Sequence, residues 1–208
     1  MTHHHIDSML TPLNIAISQS HIDAIHLLLD HGAEVTERDL RSAFKRDVDE
    51  DVIKRLMDHN DTSIHYDMMY TAIHKYSART CLNLLYRESP KWWNEHKINP
   101  LHTIASSYSY TLVALFVDYG IDINKNADFR YSWELEGIID TSKCTPLHIA
   151  SCYKNSDMIK ELLAYGADKT IKDYYHHTPI DITIKIINTM SDDDVYIPVM
   201  KEILVLLR

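Results

Sequence analysis

Apolar residues recur along this chain in short helical bursts, each followed by a polar break and a second burst. The clearest instance is Thr145–Ala167. Leu147, Ile149 and Ala150 make one helical face, Lys154 and Asn155 interrupt it, and Met158, Ile159, Leu162 and Leu163 make a second face at 3.6 spacing. Thr145 is a capping residue and Pro146 suits a first helical position, where a missing N–H costs nothing. Gly166 supplies a left-handed residue to end the second helix. The pattern predicts a helix–turn–helix unit. Two helices this short cannot bury their apolar faces alone, so the unit requires neighbours of its own kind.

The chain supplies them at fixed spacing. Pro12, Pro100 and Pro146 each stand twenty residues before a glycine, at Gly32, Gly120 and Gly166. Pro146 and Pro179 are 33 residues apart, a step that signals a repeat architecture. Repeat 1, about 9–36, uses Leu13, Ile15 and Ala16, then Ile22, Ile25, Leu28 and Leu29. As a terminal repeat it is expected to be polar on its outer side. Repeat 2, about 37–62, has lost the proline and keeps Leu40, Ala43 and Phe44, then Val52, Ile53, Leu56 and Met57. Asn60 falls at the glycine place and is expected to take its left-handed conformation. Repeat 3, about 66–96, keeps Ala72, Ile73, Cys81, Leu82, Leu84 and Leu85, with Glu88 at the glycine place and Ser89–Pro90 expected to end its helix. Repeats 4, 5 and 6 are about 99–124, 144–174 and 177–208.

The motifs in these units resemble those of the ankyrin-repeat family. The family's TPLH-x-A signature stands as TPLHIA at 145–150, TPLNIA at 11–16, NPLHTIA at 99–105 and TPIDIT at 178–183. The ending of the second helix stands as LLLDHGAEV at 27–35, LFVDYGIDIN at 115–124 and ELLAYGADKT at 161–170. The resemblance implies an all-α solenoid of about six helix–turn–helix repeats with short β-hairpin fingers, forming a single domain over 1–208. It also implies that His102 and His148, the signature histidines, tie neighbouring repeats together by hydrogen bonds. Degenerate middle repeats, a finger insertion and a residue usage rich in Ile, Tyr, Asn, Lys and Asp look like viral (poxvirus-like) or intracellular-bacterial members.

The insertion lies at 125–142, because Pro100 and Pro146 are 46 residues apart rather than 33. Phe129, Tyr131 and Trp133 alternate with polar residues there, a period-2 signal for a lengthened hairpin with one aromatic face. That face either folds back on the repeats or meets a partner. The link 89–98 carries Trp92 and Trp93, which either pack over the loop or serve as an exposed anchor. By resemblance to the family, partners meet the concave side of finger tips and first helices. Here that side is expected to carry Tyr108, Phe129, Tyr131, Trp133, Tyr153, Tyr174 and Tyr175.

Composition narrows the function. A net charge of −9 argues against nucleic acid, whose binding needs clustered lysine and arginine, and favours a protein partner with a basic surface patch. No apolar run approaches the roughly 20 residues of a membrane span, so no membrane role is expected. Three cysteines, Cys81, Cys144 and Cys152, lack metal-ligand spacing and read as reduced thiols of a cytoplasmic or nuclear protein. Fourteen histidines form no HExxH pattern, and there is no Gly-rich phosphate loop and no GxSxG. His3, His4 and His5, adjacent in a polar lead, make a poor metal site. No enzyme, cofactor or metal is expected. The reading is a protein–protein interaction module, an adaptor or inhibitor with a host factor as its expected target; the alternative is the regulatory part of a larger enzyme or effector. Oligomeric state is left open.

Overall fold

Threonine–proline and asparagine–proline pairs start helices here, because the cap oxygen takes an orphan N–H and proline has none to lose. Thr11 Oγ1 accepts from Asn14 N at 3.0 Å and Asn99 Oδ1 from Leu101 N at 2.8 Å. Thr145 and Thr178 form reciprocal capping boxes with His148 and Asp181. The computed structural model describes residues 10–46, 48–60, 66–95, 99–127, 143–191 and 193–208, without the side chains of 66 and 67. Its helices are α1 (Pro12–Ser18), α2 (Ile22–Asp30), α3 (Glu37–Arg46), α4 (Glu50–Asp58), α5 (Tyr66–Lys75), α6 (Ala78–Leu85), α7 (Pro90–Glu95), α8 (Pro100–Ala105), α9 (Leu112–Tyr119), α10 (Pro146–Cys152), α11 (Ser156–Ala164), α12 (Pro179–Ile187) and α13 (Ile197–Leu207). Six antiparallel pairs match the six repeats, and α7 is additional. The fold is an all-α ankyrin-type stack. Its only backbone ladder among the described residues is an antiparallel bridge between Ala127 and Cys144, with N···O distances of 3.0 and 3.1 Å, at the base of the insertion.

The chain divides into two compact units, Met1–Arg87 and Glu88–Arg208. In the first, α1 packs on α3 and α3 on α5, while α2 lies against α4. Leu13, Ile17, Ile25, Leu40, Phe44, Ile53, Leu56, Leu84 and Leu85 are buried between them. Polar bridges join successive repeats. Asn14 Nδ2 donates to Asp39 Oδ1 at 3.0 Å. The Arg55 guanidinium donates to Asp30 Oδ1 at 2.5 Å and His26 Nδ1 at 2.7 Å, holding the Asp30 carboxyl below its usual range. Glu50 accepts from the hydroxyls of Ser77 and Thr80. Asn60 does not adopt the left-handed conformation expected of it. Its side chain instead donates to the Val35 carbonyl, so the residue serves as a bridge between repeats.

In the second unit, α8 packs on α10 and α10 on α12, with α11 against α13. Here the bridges are the two signature histidines. His102 Nε2 donates to the carbonyl of Cys144 at 2.8 Å, and His148 Nε2 to that of His177 at 3.1 Å. Each acceptor is the residue just before the next threonine cap. Thr145 N donates to His148 Nδ1 at 3.2 Å, which requires Nδ1 unprotonated and fixes the tautomer. Burial pushes both imidazoles toward the neutral form and lowers the pKa of His102 to about 4. A second ladder uses asparagine. Asn94 spans the Gly120 carbonyl and Asp122 N, at 2.9 and 2.8 Å. Asn124 spans the Gly166 carbonyl and Asp168 N, at 3.3 and 2.8 Å.

Glycine is scarce, yet the turns still demand left-handed residues. Gly32, Gly120 and Gly166 provide three, and Ser20, Lys143, Lys154 and His176 adopt φ of 54° to 65° without being glycine. Lys143 and His176 both stand two residues before a threonine cap, and Ser20 and Lys154 both stand eight after a helix-starting proline. All three cysteines are buried, and burial raises the thiols of Cys81 and Cys152 to about 12, which makes those two inert packing groups.

These features make two stability predictions. A Cβ on Gly120 would stand 3.2 Å from Pro90 Cβ as well as straining φ of +101°, whereas at Gly166 only the φ is at issue. Gly120→Ala is expected to destabilise by about 2 kcal/mol and Gly166→Ala by about 1, while His176→Gly relieves strain and stabilises by about 0.5–1 kcal/mol in urea unfolding. The second concerns pH. A histidine harder to protonate in the fold than in the unfolded chain makes the unfolded state the stronger proton binder. Stability is therefore full above the usual value of 6.5 and is lost as pH falls toward 4, by at most about 3 kcal/mol for His102. Unfolding midpoints measured across that window should fall with acidification, and the slope should be shallower in His102→Gln.

Candidate protein-interaction surface

The finger after α11 is built around a buried carboxylate. Asp173 Oδ1 accepts from the backbone N–H of Tyr175 at 2.9 Å and of His177 at 2.8 Å, and Asp173 N donates back to the His177 carbonyl at 2.9 Å. The His177 ring stands 3.5 Å from Asp173 Oδ2. This closed turn, with His176 left-handed at its apex, holds Tyr174 and Tyr175 outward at 57% and 50% exposure. Their rings meet edge to face at 5.2 Å. Lys143, from the preceding finger, places its ammonium 5.7 Å from the Tyr174 ring centre. The result is an exposed aromatic tip with a cation at its rim, a composition suited to protein contact.

The predicted aromatic side divides in two. Tyr108, 86% exposed, and Tyr153, half-buried, lie at the turns between paired helices, not at the fingers. The seven residues of α10 separate those turns from the finger end by about 10 Å. Asn155 Nδ2 donates to the Ser107 carbonyl at 3.0 Å, so the Tyr108 and Tyr153 turns adjoin. Lys154 Nζ stands 4.5 Å over the Tyr196 ring at the following turn. Thus Tyr174 and Tyr175 come together at one end, Tyr108 and Tyr153 at the other.

The two tryptophans also separate. Ser89 and Pro90 start helix α7, with Ser89 Oγ accepting from Trp92 N at 3.1 Å; they do not merely end the previous helix. Trp93 is 2% exposed and belongs to the core, while Trp92 is half-buried with its ring edge to face against Trp93 at 4.8 Å. Phe129, Tyr131 and Trp133, with His3, His4 and His5, lie outside the described residues. Sequence reasoning missed Lys143 as a partner of Tyr174 and the asparagine ladder. The ladder had a signal, since aspartate follows both Gly120 and Gly166 by two residues.

Charge at this end differs from that of the whole chain. The described finger residues 121–127, 143–145 and 167–178 carry four lysines (Lys125, Lys143, Lys169, Lys172) against three aspartates (Asp122, Asp168, Asp173). The acidic excess lies outside these residues, in part in the insertion itself, where 128–142 carry Asp128, Glu134, Glu136 and Asp140 against Arg130. Among the described residues no cluster of histidine, cysteine and carboxylate could hold a metal ion, and no helix is long and apolar enough to cross a membrane.

The ankyrin-repeat family profile for three copies matches residues 68–173, half of the chain, and the single ankyrin-repeat profile matches 9–40. Alpha-latrotoxin-Lt1a of Latrodectus tredecimguttatus is 49% identical over 45 residues, 22% of this chain and 3% of that protein. Alpha-latrotoxin-Lh1a of Latrodectus hasselti is 44% identical over 50 residues, 24% and 4% respectively. The chain thus matches only a small part of the length of these relatives. Among solved structures, the ankyrin repeat domain of Bcl-3, described as a unique member of the IkappaB protein family, superposes with a TM-score of 0.57. The identity is 18%, over 95% of this chain and 98% of that one, a likeness of fold alone. The chain belongs to the ankyrin-repeat family, whose repeats are protein–protein interaction modules.

Proposed function

We propose that this chain works as an adaptor or inhibitor that grips a partner protein at its finger end through Tyr174 and Tyr175, with Lys143 beside them. The exposed, edge-to-face tyrosine pair on a closed turn carries the reading, because it offers large rigid contact area at low entropic cost. Phe129, Tyr131 and Trp133 of the insertion extend the same contact. A net charge of −9, to which the four carboxylates of the insertion contribute, speeds encounter with a basic partner, while the tyrosine pair supplies aromatic packing. Residue usage of the viral and intracellular-bacterial kind makes a host protein the natural target.

A second reading is the regulatory part of a larger enzyme or effector; the latrotoxins, far longer than the segments this chain matches, are compatible with a stretch like this one lying within a longer chain.

The test is quantitative capture of partner proteins on the immobilised chain. The double variant Tyr174→Ala/Tyr175→Ala should lose about tenfold or more in affinity for its main captured protein, as expected for two interface anchors. Tyr108→Ala, at the opposite end, should capture as the wild type does. Equal capture by the wild type and the double variant would remove the finger tip from the binding site.

A further inference from the structure

Asp173 closes the tyrosine finger with only one of its two oxygens. Oδ1 takes the amides of Tyr175 and His177, whereas Oδ2 is buried with no hydrogen-bond partner among the described residues. The Asp173 side chain is 1% exposed, so solvent does not make good the missing bond, and a buried carboxylate oxygen left so is costly. The group set beside it is the imidazole of His177, four residues on, whose Nδ1 stands 3.5 Å from Oδ2. That separation is too long for a firm hydrogen bond. The ring is 40% exposed and exchanges protons with solvent.

Protonation changes what the ring can offer. A neutral imidazole donates from one nitrogen, while an imidazolium donates from both and adds a positive charge. Other groups face the pair from each neighbouring element. From α10, His148 and Cys152 feel the charge of Asp173; from α12, Asp181 feels those of His177 and Lys172. Burial holds His148 and Cys152 toward their neutral forms. The charged neighbours of the ring are therefore the carboxylates Asp173 and Asp181 and the ammonium of Lys172. The Tyr175 ring lies tilted beside that of His177, with centres 6.4 Å apart.

We propose that His177 is an acid-operated latch on this turn: once protonated, it pairs with Asp173 Oδ2 and fixes the finger that presents Tyr174 and Tyr175. The sign is opposite to that of the signature histidines. His102 and His148 must stay neutral to make their bonds, so acid weakens the stack, whereas His177 gains its bond by taking up a proton and strengthens the turn as pH falls. Because burial holds His148 neutral, mild acid leaves its bond to the His177 carbonyl in place. The consequence for recognition rests on the role proposed for the finger: tyrosines on a latched turn lose less entropy on binding, so partner affinity rises in mild acid.

Amide hydrogen exchange on the free chain, at about pH 7.5 and about pH 6, tests the latch without any partner. Protection of the Tyr175 and His177 amides, corrected for the intrinsic pH dependence of exchange, should rise about threefold in acid, the scale of a partly exposed ion pair. The helix amides of Ile149 and Ile182, bonded to the carbonyls of Thr145 and Thr178, should not rise, and they report that each variant is folded. In His177→Gln, which keeps the carbonyl that His148 uses but takes up no proton, the rise should vanish. In Lys172→Gln, which removes a neighbouring charge but not the latch, it should remain. A wild type whose two finger amides are unchanged or less protected in acid, or a rise that persists in His177→Gln, would overturn the proposal. The readout is the unbound turn, so failure of the latch is separate from failure of the tyrosine pair to capture a partner.

Discussion

A buried, neutral imidazole is the constraint on which the second unit depends. His148 accepts through Nδ1 from the cap of its own helix and donates through Nε2 to the turn that opens the next repeat. Only the neutral ring can do both. Burial enforces that state, and the same burial would make loss of the second bond costly. His102 makes the matching bond one repeat earlier. Helices of six to eleven residues are too short to persist alone, so a bond that fixes one pair against the next is what permits either to fold. The first unit meets the requirement with other groups: Asn14 on Asp39, Arg55 across His26 and Asp30, Asn60 on Val35.

Because the helices and their bridges carry the fold, the turns are released for other work. The finger at 173–177 shows the consequence. Its buried aspartate and backbone bonds hold the turn closed while two tyrosines point to solvent. A left-handed histidine there is a local strain that the surrounding capping box and imidazole clasp tolerate. The Ala127–Cys144 bridge likewise ties together the residues that flank the insertion. In the proposed contact, tyrosines held on such a closed turn lose less entropy on binding than they would on a loose one.

Much of this was legible in the residues. The twenty-residue step from proline to glycine located α1–α2, α8–α9 and α10–α11, and the phase of apolar positions located the two degenerate pairs. What escaped was backbone conformation unmarked by residue type. Lys154 read as part of a polar break, but its backbone is the left-handed hinge of that turn. Asn60 read as a stand-in for glycine because asparagine tolerates that conformation, yet its amide was worth more as a donor to a buried carbonyl. Ser89–Pro90 read as a stop because a closing residue was due; the same pair is also a helix start, and α7 shows which signal won. The place of Tyr174 and Tyr175 on a finger followed from the family resemblance. The split of the aromatics into two ends did not, because it depends on which end of each short helix a turn occupies.

The central claim is that each helix pair is held by its neighbour through the imidazole bridge. Amide hydrogen exchange on His148→Ala tests it most directly. The account predicts that protection is lost in α12 and α13, and in the turn at 173–178, along with α10, although the bond removed ends at the His177 carbonyl, before either later helix begins. Loss of protection confined to α10, with α12 and α13 exchanging as in the wild type, would contradict it.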